Sequence, residues 1–308
     1  MSDTTRMDQL AALRALRKVV ELGSFTAAAE ALGLSHTAIS RQIAQLESKL
    51  GAQLLNRTTR RFALTEAGKQ YYEACKQILD ALDEADRAVG DHQARPAGTL
   101  RINAPMAFGT LELAEWLPDF LAHYPELQMD LVCNDRIVDL IEDGFDVALR
   151  LTRELPDSTL IAKRLATSEV LVVASPAYLA RHGTPQTPQD LLAHNCMTYT
   201  QVLRPQDWTF IDADGVAQTI AVRGTLQANT GIALRTAALQ GLGIATTASF
   251  IVHEDLKAGR LVKLLPAYGL KPRELYALYP HNRHLSPKVR AFVDYAAAIY
   301  RERRWDTQ

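Results

Sequence analysis

His36, Thr37, Ser40, Arg41 and Gln45 fall within ten residues of one another. At helical spacing they share one outward face and offer hydroxyls, an amide, an imidazole and a guanidinium fork. Such groups match the donor and acceptor pattern that base edges present in a DNA major groove. A little further on, Arg57, Arg60 and Arg61 supply cations of the kind that phosphates attract, so the implied chemistry is recognition of a duplex rather than bond making.

The local charge agrees. Residues 1–65 hold nine Lys or Arg against five Asp or Glu, a net of +4, whereas the whole chain carries −1 and the remainder therefore −5. A near-neutral chain thus conceals a cationic head.

A helix, a turn and a second helix must hold these groups. Ser24 caps an alanine-rich run from Thr26 to Leu32, Gly33 permits the turn, and Ser35 caps the next helix. In that second helix Ile39, Ile43, Leu46 and Leu50 form a buried stripe that leaves the polar face outward, and Gly51 stops it. This places the helix-turn-helix at about 24–43, with Ser24, Thr26 and Ser35 joining the DNA-contacting set. Residues 56–65 read as a short hairpin whose arginines lie over the DNA backbone or the minor groove, completing a winged helix-turn-helix over 1–65.

Thr65-Glu66 opens a further helix in which Tyr71, Cys75, Ile78, Leu82, Ala85 and Val89 recur at alternating spacings of four and three. At 1.5 Å per residue, the helix over 66–89 would be about 36 Å long, and its apolar seam calls for a second copy of the chain. Dimerisation through this helix is the expectation. The Gly- and Pro-containing stretch 90–97 reads as a hinge.

Residues 98–308 alternate strand-like and helix-like segments, an α/β pattern. They hold no nucleophile elbow, P-loop or zinc-protease pattern. Gly241-Leu242-Gly243 starts like a dinucleotide fingerprint, but Thr246 stands where the third glycine belongs. His281 and His284 have no third ligand nearby in sequence. Cys75, Cys133 and Cys196 are scattered and odd in number, as expected of free thiols in a reducing compartment. No N-terminal apolar segment or run of eighteen apolar residues signals a secretory leader or a membrane span. The expectation is a cytoplasmic, non-enzymatic chain without catalytic residues, metal or cofactor.

The chain resembles the LysR-type transcriptional regulators. The resemblance is carried by Gly23-Ser24-Phe25-Thr26, Ala28-Ala29, Leu32, Ser35 and Ala38-Ile39-Ser40. It continues through Leu46-Glu47, Leu50-Gly51, Arg57, Leu64-Thr65 and Ala67-Gly68. In the second domain it rests on Asp146-Val147-Ala148-Leu149-Arg150, Ala174-Ser175-Pro176 and Gly241-Leu242-Gly243-Ile244-Ala245. Leu55 stands where the family usually has Phe.

The resemblance implies a two-lobed effector-binding domain over 98–308, similar to periplasmic binding proteins. Its first lobe would take 98–166 and 268–308, and its second 167–267. A small-molecule effector would lie between them, at strand ends and helix N-termini. The expected effector residues are Pro105, Met106, Ala107, Phe108, Asn134, Arg150, Thr200, Asn229, Thr230 and Thr246. Family members often carry Ser or Thr where this chain has Pro105, Met106 and Ala107, so a partly apolar effector, or a cleft filled by side chains, is expected. The implied partners are a double-stranded DNA operator, the effector, the chain itself as a dimer or a tetramer, and RNA polymerase for an activator. Two other readings remain open: a ligand-independent regulator with a filled cleft, and an enzyme domain fused to a DNA-binding head.

Overall fold

The computed structural model describes residues 8–57, 62–90, 95–136, 138–140, 142–155, 158–281, 285–302 and 305. The chain divides into two compact units, Met1–Ala94 and Arg95–Gln308.

In the first unit, helix α1 (Gln9–Leu22) starts at Asp8, whose carboxylate accepts from the Ala11 amide. Helices α2 (Phe25–Leu32) and α3 (His36–Leu50) follow, begun by Ser24 and Ser35. The two seryl oxygens accept from the amides of Ala27 and Ala38 at 3.2 and 3.1 Å. The turn between these helices needs Gly33, whose φ of +64° is strained for residues with a Cβ. Ala28 and Ala29 of α2, Ile39, Ile43 and Leu46 of α3, and Leu13, Leu16 and Val19 of α1 close one small core.

Strands β1 (Leu55–Arg57) and β2 (Phe62–Leu64) pair antiparallel, with Leu55 opposite Leu64. The carboxylate of Glu47 in α3 accepts from the amides of Leu54 and Leu55 at 2.8 and 3.0 Å, which fixes the hairpin to the helix. Leu55 is buried in the shared core.

Helix α4 (Glu66–Gly90) is capped by Thr65, whose hydroxyl accepts from the Gly68 amide and donates to the Gln53 carbonyl. Its apolar seam differs from the expectation. Cys75 is buried in the core of its own unit together with Leu79, and Tyr71 packs on the same core. The N-terminal half of the seam is therefore consumed by contact with the chain's own first helix, reinforced by the Arg17–Asp80 ion pair at 2.8 Å. Ile78, by contrast, is 55% exposed, and Leu82 is half-buried. Cys75 is thus corrected from a dimer contact to a core residue, and Tyr71 faces inward with it. The side chains of Ala85 and Val89 lie outside the described residues.

The second unit is built on an eleven-stranded mixed sheet. Strand β3 (Gly98–Ala104) pairs parallel with β4 (Leu127–Cys133) and with β5 (Val147–Thr152). Between β3 and β4 the chain forms α5 (Met106–Phe108), a π-helical stretch Gly109–Leu113 and α6 (Ala114–His123).

The long strand β6 (Leu160–Ala174) pairs first with β13 (Gly269–Pro280) and then, from Val170, with β11 (Ile244–Ala248). These crossing strands join two half-sheets, which gives the two lobes. The second lobe adds α7 (Pro176–His182), β7 (Cys196–Tyr199), the β8 (Asp207–Ile211) and β9 (Ala217–Ala221) hairpin, and β10 (Gln227–Ala228). It continues with α8 (Gly231–Leu239), α9 (Ser249–Lys257) and β12 (Val262–Lys263). Helix α10 (Pro287–Glu302) returns to the first lobe, burying Val289, Phe292, Val293 and Ala296 in the main core.

Candidate functional site

The outward face of α3 is the first candidate. His36, Thr37 and Arg41 are exposed, and Ser40 and Gln45 are half-buried beside the stripe of Ile39, Ile43 and Leu46. Ala44 and Ser48 are exposed and continue the line of Thr37 and Arg41 at helical spacing. Ala44 carries no polar group and so gives no signal in the sequence, yet a methyl on such a face can meet a thymine methyl.

Ser24 and Ser35 use an oxygen lone pair in capping but keep a hydroxyl proton to donate, and Thr26 is exposed. His36 packs its ring 5.7 Å from that of Phe25, which ties the start of α3 to the start of α2. Arg60 and Arg61 lie outside the described residues, as does the side chain of Arg57.

The second candidate is a cleft of about 820 Å³ in the second unit. Pro105, Ala107, Asn134, Arg150 and Thr246 line it. Other expected residues do not. Phe108 is fully buried, its ring within 5.6 to 6.2 Å of Phe250, Tyr300 and Trp305, so it is core. Met106 contributes its amide rather than its side chain, which is 38% exposed outside the lining. Thr230 caps α8 by accepting from the Ile232 amide, and neither Thr200 nor the exposed Asn229 reaches the cavity wall.

The residues that replace them are Asp135, Tyr199, Thr247 and Arg273. Asp135 accepts from the Met106 amide at 3.1 Å. Burial pushes its carboxyl above the ordinary range, although the Met106 amide, the Tyr199 hydroxyl and the charges of Arg273 and Arg150 oppose that rise. Burial likewise raises the Tyr199 phenol, helped by the charge of Asp135. The Arg273 guanidinium lies 5.6 Å from the Tyr199 ring centroid. Burial depresses both arginines, and Asp135 partly offsets this. Arg150 donates through Nη1 to Asn103 Oδ1 at 2.6 Å and to the Leu149 carbonyl at 2.9 Å. Its Nη2 is buried without a partner among the described residues, and so is the hydroxyl of Thr247.

The other sequence features resolve into structure. At Gly243 a Cβ would sit 2.2 Å from the Asn195 carbonyl oxygen, so the glycine allows close approach of backbones. Cys75 and Cys196 are buried and Cys133 half-buried, all as free thiols, and burial raises the Cys196 thiol to about 12. His284 lies outside the described residues, and among those described no three side chains converge to hold a metal. No described helix is long and apolar enough to cross a membrane.

A cationic helix-turn-helix and a two-lobed cleft on one chain narrow the possibilities, and comparison with known proteins decides between them. A profile for bacterial regulatory helix-turn-helix proteins of the lysR family matches residues 10–69, and one for the LysR substrate binding domain matches residues 93–300. This chain belongs to the LysR family of transcriptional regulators.

It is 39% identical over 298 residues to the uncharacterized HTH-type transcriptional regulator YhjC of Escherichia coli, covering 96% of this chain and 99% of that protein. The solved structure of CrgA, a LysR-type regulator from Neisseria meningitidis, is 34% identical with a TM-score of 0.62, covering 96% of this chain and 99% of the other. The full-length Vibrio cholerae virulence activator AphB is 31% identical with a TM-score of 0.61, covering 94% and 98%. The regulator thus pairs a helix-turn-helix DNA-binding domain with an effector-binding domain.

Proposed function

We propose that the regulator reads its operator with the outward face of α3. His36, Thr37, Ser40, Arg41 and Gln45 would contact base edges, while Ser24, Thr26, Ser35, Arg57, Arg60 and Arg61 would hold the backbone. The observation that carries this reading is the exposed line of Thr37 and Arg41 on a helix whose opposite stripe of Ile39, Ile43 and Leu46 is fully buried, with Leu50 at its end exposed instead. Recognition helices place their N-terminal residues in the major groove, and that is where these side chains stand.

Two copies, paired through the exposed part of α4, would set two heads on an imperfect palindrome. A tetramer would form from two such dimers. The regulator would work in the cytoplasm without catalysing a reaction, and would contact RNA polymerase where it activates. An open cleft of about 820 Å³, within the size range of small-molecule sites, supports effector binding over a cleft filled by side chains. The effector would act by binding one arrangement of the oligomer more tightly than another.

Footprinting of the purified full-length chain on fragments of its own genome, at physiological salt, tests the reading. The expected result is a discrete protected site with half-sites about one helical turn apart. Only diffuse, salt-sensitive binding would overturn it.

A further inference from the structure

Three charged groups meet at one end of the cleft, and they do not balance. Arg150 and Arg273 both act electrostatically on the carboxylate of Asp135. The rim of the cleft adds Arg136, Asp139 and Glu154, of which Glu154 is already held by Lys271 at 3.0 Å. Arg153 also acts on Arg273, but it is exposed and stands outside the lining, so the wall at the inner end carries two guanidiniums against one carboxylate.

Two donors there are also unsatisfied. Arg150 Nη2 and the Thr247 hydroxyl, on strands from different lobes, are buried without partners among the described residues, and Thr247 is 5% exposed. A buried donor left unpaired costs a large part of its desolvation energy, and more when it is charged. Much of the rest of the wall is apolar, with Leu151, Leu234, Phe250 and Ile251 among its residues.

We propose that the cleft takes a small organic monoanion with an apolar body, a monocarboxylate, seated on Arg150 and Arg273 with Thr247 as a further donor. This rests on the reading of the cleft as the effector site and adds the ligand's class to it. A guanidinium fork suits the two oxygens of a carboxylate. The single excess charge sets the ligand's valence: one negative charge neutralises the site, whereas a second would face Asp135. A neutral ligand would leave the excess cation buried.

Hexanoate, hexanamide and adipate share a six-carbon skeleton and differ in charge, which makes them the probes, with phenylacetate and phenylacetamide as a second pair. Titration calorimetry on the full-length regulator is expected to show hexanoate or phenylacetate binding at least about tenfold more tightly than its amide, and hexanoate more tightly than adipate. Arg273→Gln should erase the preference for the carboxylate. Asp135→Asn, which removes the competing negative charge, should move it toward adipate. Because Arg150 also holds Asn103, Thr247→Val is the second probe of the seat, and it should weaken hexanoate severalfold without lowering the melting temperature of the free protein.

Amides that bind as well as their acids, adipate preferred by the wild type, or neither carboxylate bound at about 10 mM would each overturn the proposal. Footprints of the ligand-free regulator, followed in parallel, report on the DNA-binding reading separately. Their loss with carboxylate binding intact would count against that reading and leave the ligand class standing.

Discussion

At the scale of single residues, the proposed reading of the operator makes Arg41 the side chain on which sequence discrimination should most depend. It is exposed on α3 one turn beyond Thr37, and its fork can engage guanine bidentately. Arg41→Ala is expected to weaken binding to the operator by about 1–3 kcal/mol while leaving random DNA nearly unchanged. Fluorescence anisotropy on the two duplexes checks this, and equal losses on both would reassign Arg41 to phosphate.

The outward face of α3 was legible because helical periodicity fixes which side of the helix is buried once Ile39, Ile43 and Leu46 are recognised. The cleft was legible only to the level of corners. Asn134-Asp135-Arg136 and Thr198-Tyr199-Thr200 stand out in sequence as corners, and within them Asn134 lines the cleft as expected beside Asp135, whereas Tyr199 rather than Thr200 forms the wall. At the end of β7 one residue decides the matter, since Tyr199 is the last strand residue and lines the cleft while Thr200, just beyond the strand, does not. Arg273 carried no local signal, since β13 brings it to the cleft from more than a hundred residues beyond Asn134.

At the scale of elements, two contacts hold supporting helices in place. Helix α4 crosses the chain so closely that a Cβ at Gly68 would sit 2.0 Å from the Leu54 carbonyl oxygen. That carbonyl cannot yield easily, because it accepts from the Thr65 amide at 2.9 Å. Gly68→Ala should therefore destabilise the first unit by at least about 2 kcal/mol, read by urea denaturation followed through helical circular dichroism.

In the second unit the fully buried carboxylate of Asp255 joins α8 to α9 by accepting from Arg235, and it accepts from Arg260 at 2.7 Å. Burial alone would raise its pKa, but the hydrogen bonds from the two arginines outweigh burial and hold it below the ordinary range. A depressed folded pKa stabilises the fold above the unfolded value of about 4, and that contribution disappears as pH falls through the folded value. Asp255→Asn should cost about 3 kcal/mol at neutral pH and flatten the loss of stability on acidification below about pH 4. Melting temperatures between pH 7 and pH 3 give both numbers, and an unchanged acid limb would assign it to other carboxylates. Neither contact was readable beforehand, since each joins backbone or side chains by a closeness that composition does not encode.

At the scale of the whole molecule, the cationic head and the seam of α4 together make a joint prediction about assembly and salt. The apolar pattern in α4 divides: Cys75 and Leu79 fill their own unit's core, while Ile78 remains 55% exposed. The sequence periodicity could not separate these roles, because residues three and four apart lie on nearly the same side of a helix. Ile78→Glu should then leave each chain folded but place a charge in the dimer seam, converting the protein to monomers in sedimentation velocity. If Arg57, Arg60 and Arg61 each meet a phosphate, one head contributes a slope of about −3 to log K against log salt, and two heads about −5 to −6. The Ile78→Glu monomer should show roughly half the wild-type slope on the same operator. A monomer with the full slope would mean that a single head makes all the phosphate contacts. A variant that stays dimeric would move the interface away from α4.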